Sequence, residues 1–267
     1  MAKWIVFILA VPTAFFLFSC SNPVGSSGPA GSAGTTTPLD NGVTVDPVQG
    51  IVAGFDFNQN ITGDSPATLN GTPLPQWVSG ISGDALEFTQ DGQYVFMPDA
   101  DSLDLSTKGS VEAWINPYVN LIGAGIVHKG VKTDFSDEAY TMQYWYAGQP
   151  SFGITNDAGT LINLVDNDGT TPIAVNQWHQ IVATWDSTTA TPNLSLYVDG
   201  VLKKSTAIPV GFSVRNSDGG LLIGQQIPLP DPGYGDYPFN GIIDNVNIFD
   251  RALSAAEIAD LYAALAP

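Results

Sequence analysis

The sequence has few of the residues on which disulfide bonds, metal centres and nucleic-acid binding depend. Its 267 residues include one cysteine, two histidines and eight lysines plus arginines, against 26 aspartates plus glutamates. A single cysteine cannot form an internal disulfide bond, and a formal net charge of −18 repels phosphate backbones. We therefore expect no nucleic-acid partner. The surface is either simply acidic and soluble or suited to divalent cations.

Recognisable catalytic patterns are also missing. The chain has four glutamates, at Glu87, Glu112, Glu138 and Glu257. Glycoside hydrolysis requires two carboxylates that face each other across the scissile bond, whereas the adjacent Asp137 and Glu138 would point apart on a strand. No G-x-S-x-G pattern occurs, and neither His128 nor His179 has a second ligand at metal spacing, so both are interpreted as packed histidines. The sequence predicts a protein that is not an enzyme.

Residues 1–20 have the layout of a secretory leader, in which Lys3 precedes an apolar run too short for a comfortable membrane span. The run ends in Leu17-Phe18-Ser19-Cys20, which resembles the lipobox of bacterial lipoproteins. That resemblance implies cleavage before Cys20 and acylation of this cysteine with chains such as palmitate, which would anchor the protein to the membrane of the bacterial cell envelope. Ser21 after the cysteine implies the outer membrane. An ordinary leader that is cleaved nearby is the alternative.

Residues 21–50 consist mainly of Gly, Ser, Thr, Pro and Ala, with few large apolar side chains. Such a segment cannot bury enough surface to offset its ordering entropy, so we expect a disordered tether. As a flexible coil it would reach on the order of 30 Å.

Residues 51–267 read as one all-β domain, because short runs with strand character recur between turn residues. Asp199-Gly200, between two alternating runs, predicts a type I′ hairpin turn. Near the C-terminus, Ser254 and Glu257 form the S-x-x-E pattern of a capping box, which predicts a short final helix.

Four segments, taken in their order and spacing, resemble the laminin-G-like jelly roll of the concanavalin A-like lectin/glucanase superfamily. These are residues 83–105, 110–117 (SVEAWINP), 178–202 (WHQIVATWD and LYVDGVL) and 239–262. The resemblance covers residues 51–265. It implies a sandwich of two antiparallel sheets, one of them concave, with the first and last strands adjacent.

In the last of these segments, strand alternation places Asp244 in phase with Ile242, Val246 and Ile248. A buried carboxylate must be partnered, bound to a metal or placed at the rim. The resemblance implies a structural calcium ion where the first strand meets the last, with Asp244 as a ligand and Asp56, inside the predicted first strand, as its neighbour in the site. The alternative is that Asp244 accepts hydrogen bonds from neighbouring backbone. Residues 166–171 (DNDGTT) lack the glutamate of an EF-hand loop and are interpreted as a turn.

Aromatic residues are the candidates for ligand contacts, because sugar rings stack on Trp and Tyr. In residues 140–148, alternation places Tyr140, Met142, Tyr144 and Tyr146 on one face and Gln143 with Trp145 on the other, so one set should face the core. Default core packing remains the alternative for these strand aromatics.

A second candidate contact region is the Pro- and Gly-rich loop 227–239, which bears Tyr234, Asp236 and Tyr237. The segment 129–138, where Lys129 and Lys132 lie beside acids, is interpreted as a solvated loop. The sequence thus predicts a lipid-anchored envelope module that binds a carbohydrate or a cell-surface protein. The alternatives are a glycoside hydrolase with an unusual carboxylate pair and a purely structural or adhesive envelope protein.

Overall fold

The computed structural model describes residues 49–59, 61, 67–132, 134–145, 148–166, 173–190, 193–226 and 237–267. In chain order its strands are β1 (Ile51–Phe55), β2 (Thr68–Asn70), β3 (Gln76–Ser79), β4 (Asp84–Phe88), β5 (Tyr94–Met97), β6 (Lys108–Pro117), β7 (Gly125–Lys129), β8 (Tyr140–Tyr144), β9 (Pro150–Thr155), β10 (Leu161–Val165), β11 (His179–Asp186), β12 (Leu194–Val198), β13 (Val201–Thr206), β14 (Leu221–Ile223) and β15 (Gly241–Phe249). A 3₁₀ helix, Asp101–Leu103, precedes β6, and helix α1, Ala255–Leu265, follows β15.

The strands form two antiparallel sheets. In the first sheet the order is β13-β12-β11-β6-β15-β4-β3, and β1 also pairs with β15. In the second sheet the order is β10-β9-β8-β7-β14-β5-β2. The predicted two-sheet antiparallel sandwich with a short C-terminal helix is confirmed.

The two ends of the sandwich domain meet in the first sheet. Strands β1 and β15 pair antiparallel, with Ile51 opposite Phe249 and Phe55 opposite Val246. The predicted adjacency of the first and last strands is therefore confirmed.

Large aromatic side chains join the two sheets across the core. The Trp185 ring on β11 of the first sheet lies 5.9 Å from the Tyr140 ring and 5.6 Å from the Phe152 ring, both on the second sheet, measured between centroids. All three side chains are fully buried. Burying each of them stabilises the folded state by about 1.5–3 kcal/mol, so this cluster holds the layers together.

Local chemistry explains the hairpin and the helix. Asp199 and Gly200 have φ angles of 53° and 72°, as the type I′ turn between β12 and β13 requires. At the start of α1, the Ser254 side chain accepts a hydrogen bond from the Glu257 backbone N–H, and the Glu257 carboxylate accepts one from the Ser254 backbone N–H. Both features confirm the sequence predictions.

Helix α1 covers part of the outer face of the first sheet. Its Tyr262 ring stacks on Trp114 of β6 at a centroid separation of 5.6 Å, and Ile258 packs against Val182 and Phe249. Within the described ranges, no helix combines the length and apolar character needed to cross a bilayer.

Candidate functional site

Strand β8 determines which side chains face the core and which face outward on the second sheet. Tyr140, Met142 and Tyr144 belong to the buried core cluster. The alternate positions, Thr141 and Gln143, together with Trp145 just after the strand, line a pocket on the outer face. The two sets of side chains predicted from alternation therefore lie on opposite faces of β8. The set with Tyr140, Met142 and Tyr144 faces the sandwich core.

The pocket, which we call the aromatic pocket, has a volume of about 400 Å³. Its apolar lining residues come from four separate segments of the chain: Ile122, Phe135, Trp145, Leu161 and Tyr237. The side chains of Trp145 and Leu161 are exposed, and the Phe135 and Tyr237 rings lie 6.2 Å apart with a 54° tilt. Exposed apolar side chains grouped around one depression are typical of a ligand-binding surface.

Polar groups also line the aromatic pocket. The Gln226 side-chain N–H donates to the Gly123 carbonyl oxygen at 2.6 Å and to the Gln143 side-chain oxygen, so both glutamines are held in place. Thr141 Oγ1 and Asn163 Oδ1 are buried and have no hydrogen-bond partner in the part of the chain that the structure describes. These two groups can therefore bond to a ligand hydroxyl without breaking an existing contact.

Glu138 is the carboxylate that lines the aromatic pocket. One of its oxygens accepts a hydrogen bond from the Thr155 hydroxyl at 3.2 Å. Burial raises the pKa of Glu138 above its ordinary value, and the charge of Asp137 acts in the same direction. Asp137 itself points elsewhere, since its carboxylate accepts hydrogen bonds from the backbone N–H groups of Val131 and Lys132, both at 3.0 Å.

Gly123 positions the Tyr237 ring. A Cβ atom on Gly123 would lie 2.4 Å from Tyr237 Cδ1, and the φ angle of Gly123 is +75°. The backbone of Tyr237 is fixed from the other side, because the Gly125 N–H donates to its carbonyl at 2.9 Å. Only glycine leaves room for the ring in this position.

His128 lies behind the pocket wall and is almost completely buried. Its ring packs edge-on against Phe135 at 6.0 Å, and its Nδ1 atom is 3.9 Å from Glu138 Oε2. Burial lowers the pKa of His128 to about 4, although the charge of Asp137 opposes the shift. The imidazole is therefore neutral near pH 7, and its contact with Glu138 is not an ion pair.

The other carboxylate considered from the sequence, Glu112, lies on the first sheet. It is buried there and accepts hydrogen bonds from Gln180 Nε2 at 2.7 Å and Asn247 Nδ2 at 3.0 Å. Burial raises its pKa. Glu112 therefore does not contribute to the aromatic pocket.

Asp244 is fully buried and satisfied by the backbone. Its Oδ2 atom accepts hydrogen bonds from the N–H groups of Ile81 at 3.0 Å and Ser82 at 3.3 Å, and its Oδ1 atom accepts one from Asn245 at 2.8 Å. Burial, helped by the nearby charge of Asp56 and opposed by the hydrogen bonds, raises the pKa of Asp244 to about 6. A carboxylate with three backbone donors can be buried without a metal.

Two predictions about this region are wrong. Asp244 is not in phase with the core residues, because Ile243, not Ile242, is in the core cluster, and β15 has a register shift between Asp244 and Asn247. Asn245, with a φ angle of 45°, marks this bulge, which changes the alternation. Asp56 is also not inside the first strand, since β1 ends at Phe55 and Asp56 is exposed.

The interpretation of residues 129–138 as a solvated loop is wrong for Lys129, although Lys132, Asp134 and Ser136 are exposed. Lys129 is fully buried, and its ammonium group donates to Asp99 Oδ1 at 2.6 Å and to the carbonyl oxygens of Ser217 and Gly219. Phe135 from the same segment lines the aromatic pocket. The partners of Lys129 are distant in sequence, and so is the Tyr237 ring that Phe135 contacts, so local composition carried no signal for either position.

The structure describes some of the predicted site residues but not all of them. The structure brings Trp145 and Tyr237 together in the aromatic pocket and places Asp244 on β15, where it accepts hydrogen bonds from the turn between β3 and β4. Tyr234, Asp236 and Cys20 lie outside the described residues. Among the described residues, no three or more His, Cys, Asp or Glu side chains are grouped closely enough to hold a metal ion.

Comparisons with known proteins address the fold. A family model described as concanavalin A-like lectin/glucanases superfamily matches residues 89–259. No curated protein matches the sequence. Domain 4 of AbnA, a GH43 extracellular arabinanase from Geobacillus stearothermophilus, was solved in complex with arabinotriose. It has a TM-score of 0.59 at 21% identity, and the match covers 79% of this chain and 98% of that domain.

Two toxin domains show the same fold. The botulinum neurotoxin serotype D ligand binding domain, solved in complex with N-acetylneuraminic acid, has a TM-score of 0.60 at 14% identity over 80% of this chain and 51% of that one. The binding domain of Paraclostridial Mosquitocidal Protein 1 has a TM-score of 0.60 at 14% identity over 81% and 52%. The chain thus spans about half the length of these toxin domains. At these identities the likeness shows a shared fold.

Proposed function

The chain belongs to the concanavalin A-like lectin/glucanases superfamily, and on that basis we propose that it is a glycan-binding module whose ligand docks in the aromatic pocket. The observation that carries this proposal is the combination of an exposed Trp145 and a Tyr237 ring with Thr141 Oγ1 and Asn163 Oδ1, two polar groups that have no partner among the described residues. Sugars have apolar ring faces and polar edges, so they fit a pocket that offers both aromatic rings and polar groups.

The structural neighbours support a binding role in general terms. The arabinanase domain was solved with a sugar chain and the neurotoxin domain with a single acidic sugar. Another neurotoxin binding domain was solved with a protein, rat synaptotagmin II. We favour a glycan over a protein ligand here because the aromatic pocket is a depression with buried hydrogen-bonding groups, which suits a small hydroxyl-rich ligand.

A glycan-array screen of the purified chain tests this proposal. Trp145→Ala should abolish binding to every glycan that the wild-type chain retains, because the stacking ring is removed. Trp77→Ala is the matched control, since Trp77 on β3 of the first sheet is 37% exposed and Trp145 is 46% exposed. Binding that survives Trp145→Ala unchanged, or no binding to any glycan, would refute the proposed function.

Hydrolysis of a bound glycan is the second candidate function. Glu138 and Asp157 line one depression next to the aromatic pocket, and the raised pKa of Glu138 suits a general acid. We rank it below binding because Asp157 does not line the aromatic pocket, in which we place the sugar ring. Release of new reducing ends from a bound oligosaccharide, abolished by Glu138→Gln, would reverse this order.

Calcium at the junction of β1 and β15 is a separate proposal. Burial and, to a smaller extent, the charge of Asp56 raise the pKa of Asp244, and neither carboxylate forms an ion pair with a base in the described residues. A divalent cation fits two such oxygen donors and would relieve their repulsion. Asp244 and Asp56 would hold the ion, which would stabilise the contact between the terminal strands. The backbone donors of Asp244 mean that the fold does not depend on it.

Membrane attachment through Cys20 is proposed from the lipobox resemblance alone. Acyl chains on this cysteine, with the tether of residues 21–50, would hold the module at the outer membrane of the bacterial envelope. Metabolic labelling with a palmitate analogue tests it. Label in the wild-type chain that is lost in Cys20→Ala supports the anchor, and equal label in both, or none in either, contradicts it.

A further inference from the structure

The aromatic pocket continues into two further depressions. The first, of about 370 Å³, shares Phe135, Glu138 and Leu161 with the aromatic pocket. The second, of about 390 Å³, shares Ser136, Asp157 and Arg215 with the first. The three depressions therefore form one continuous surface, which we call the extended groove. Adjoining depressions that share their lining residues suit a chain of linked units better than a single sugar.

Arg215 is the central cation of the extended groove, but its guanidinium N–H groups already donate hydrogen bonds within the protein. The guanidinium donates to the carbonyl oxygens of Ser136 and Glu138 and, at 3.0 Å, to that of Asn156. These bonds tie the segment before β8 to the turn after β9 and so fix one wall of the groove. Arg215 is therefore a structural tie and not an open anion site.

The remaining charges along the extended groove are mainly negative. Four carboxylates line its depressions, and the cations are Lys132 and Arg215. The carboxylates are Glu138, Asp137, Asp157 and Asp218. The whole chain carries a net charge of −18, which adds to the same field. A ligand with its own carboxylates or sulfates would be repelled here.

The acceptor groups of the aromatic pocket point to the same ligand chemistry. Asn163 Oδ1 is an acceptor, the Glu138 carboxylate is an acceptor when it is ionised, and Thr141 Oγ1 can accept as well as donate. Thr141 is also almost completely buried. Hydroxyl groups of an uncharged sugar supply the donors that such a lining requires.

We propose that the ligand is a linear oligosaccharide of several units without negative charge, which binds along the extended groove with one ring stacked in the aromatic pocket. This inference rests on the proposed glycan-binding function and adds two properties to it. Affinity increases with chain length, and acidic sugars are excluded.

Calorimetric titration of the full chain with matched oligosaccharides tests both properties. The neutral probes are arabinose, arabinobiose, arabinotriose and arabinohexaose, together with the equivalent cello-oligosaccharides, and the acidic probes are oligogalacturonates of equal lengths. We expect the trimer or hexamer of the tightest neutral series to bind at least about tenfold more tightly than its monomer. We expect the oligogalacturonate of equal length to bind at least about tenfold more weakly than the neutral chain.

The outcomes separate this inference from the proposed function. A monosaccharide that binds as tightly as its hexamer, or an oligogalacturonate that binds as tightly as the neutral chain, would overturn the inference and leave glycan binding intact. If no probe of either charge binds, the inference is overturned for these sugars, and the glycan-array result then decides whether the proposed function fails with it.

A pair of charge variants provides the second measurement. Asp157→Asn removes one negative charge from the groove, and Asp260→Asn removes one from an exposed position on α1, outside the groove. We expect Asp157→Asn to increase affinity for oligogalacturonate severalfold relative to Asp260→Asn. Equal effects of the two variants would contradict a groove that excludes acidic sugars by charge.

Discussion

Trp145 and Tyr237 line the same pocket although they come from distant parts of the chain, one just after β8 and the other before β15. Phe135, from the segment before β8, contacts the Tyr237 ring. The sandwich thus assembles an aromatic surface from loops that its strands bring to one face, and this relationship is the basis of the proposed function.

The first prediction concerns the space that Gly123 leaves for Tyr237. Gly123→Ala should displace the ring and weaken glycan binding, because the new Cβ atom would lie 2.4 Å from it. Gly92→Ala is the matched control, since Gly92 has a φ angle of +76° and no neighbour within 4 Å of an added Cβ. Both variants should lose about 1–2 kcal/mol of stability from backbone strain. Calorimetric titration should show weaker binding only in Gly123→Ala, and equal binding in both would show that the ring position does not matter.

The second prediction concerns Asp244. Asp244→Ala leaves the N–H groups of Ile81, Ser82 and Asn245 without their acceptor, so we expect a loss of about 3 kcal/mol in a calcium chelator. If calcium binds Asp244 and Asp56, adding calcium should raise the melting temperature of the wild-type chain and not that of the variant. Thermal melts in calcium and in chelator measure both effects, with the exposed Asp260→Ala as control. A wild-type melting temperature that is the same in both buffers would refute the calcium site.

The third prediction concerns pH and His128. Its pKa is about 4 in the folded chain, below its ordinary value of 6.5, so the unfolded chain takes up the proton first as the pH falls. The stability from the neutral, buried ring is therefore complete above pH 6.5 and is lost as the pH falls towards 4. The shift corresponds to about 2–3 kcal/mol near the lower end of this range.

Urea denaturation of wild type and His128→Leu at neutral and mildly acidic pH measures this contribution. We expect the wild-type chain to lose about 2–3 kcal/mol more than the variant on acidification. The raised pKa values of Glu112 and Asp244 act with the opposite sign in both proteins and largely cancel in the comparison. Asp137 and Glu138 face the ring, and their effect is part of the measured difference. Parallel pH profiles would show that His128 does not titrate between these limits.

The fourth prediction concerns Lys129. Lys129→Met leaves Asp99 without its buried cation and the carbonyl oxygens of Ser217 and Gly219 without a donor. We expect a loss of about 3–5 kcal/mol in the free energy of unfolding. Lys108→Met, at an exposed position of β6, should change it by less than about 0.5 kcal/mol. Equal stability of the two variants would show that the buried ammonium group contributes nothing.

Features specified by neighbouring residues could be predicted from the sequence. The Asp199-Gly200 turn needs positive φ at both positions, and the Ser254 and Glu257 capping box needs only a spacing of three residues. Gln143 and Trp145 share a face because side chains alternate along β8. That this face is the outer one follows from the packing of the opposite sheet, which local pattern does not contain.

Features that depend on distant partners could not be predicted. Lys129 is buried because its charge is met by Asp99, thirty residues away in the chain. A single bulge at Asn245 shifts the phase of β15, so that strict alternation misplaces Asp244. Gln226 enters the aromatic pocket through its hydrogen bond to the Gly123 carbonyl, for which no local pattern exists.

The most direct test of the account is a crystal structure of the chain with the glycan that binds most tightly in the array. We expect a sugar ring stacked on Trp145, its hydroxyl groups bonded to Gln143 or Asn163, and the rest of the chain along the groove towards Asp157. A ligand bound elsewhere on the molecule, with the aromatic pocket empty, would contradict the central claim.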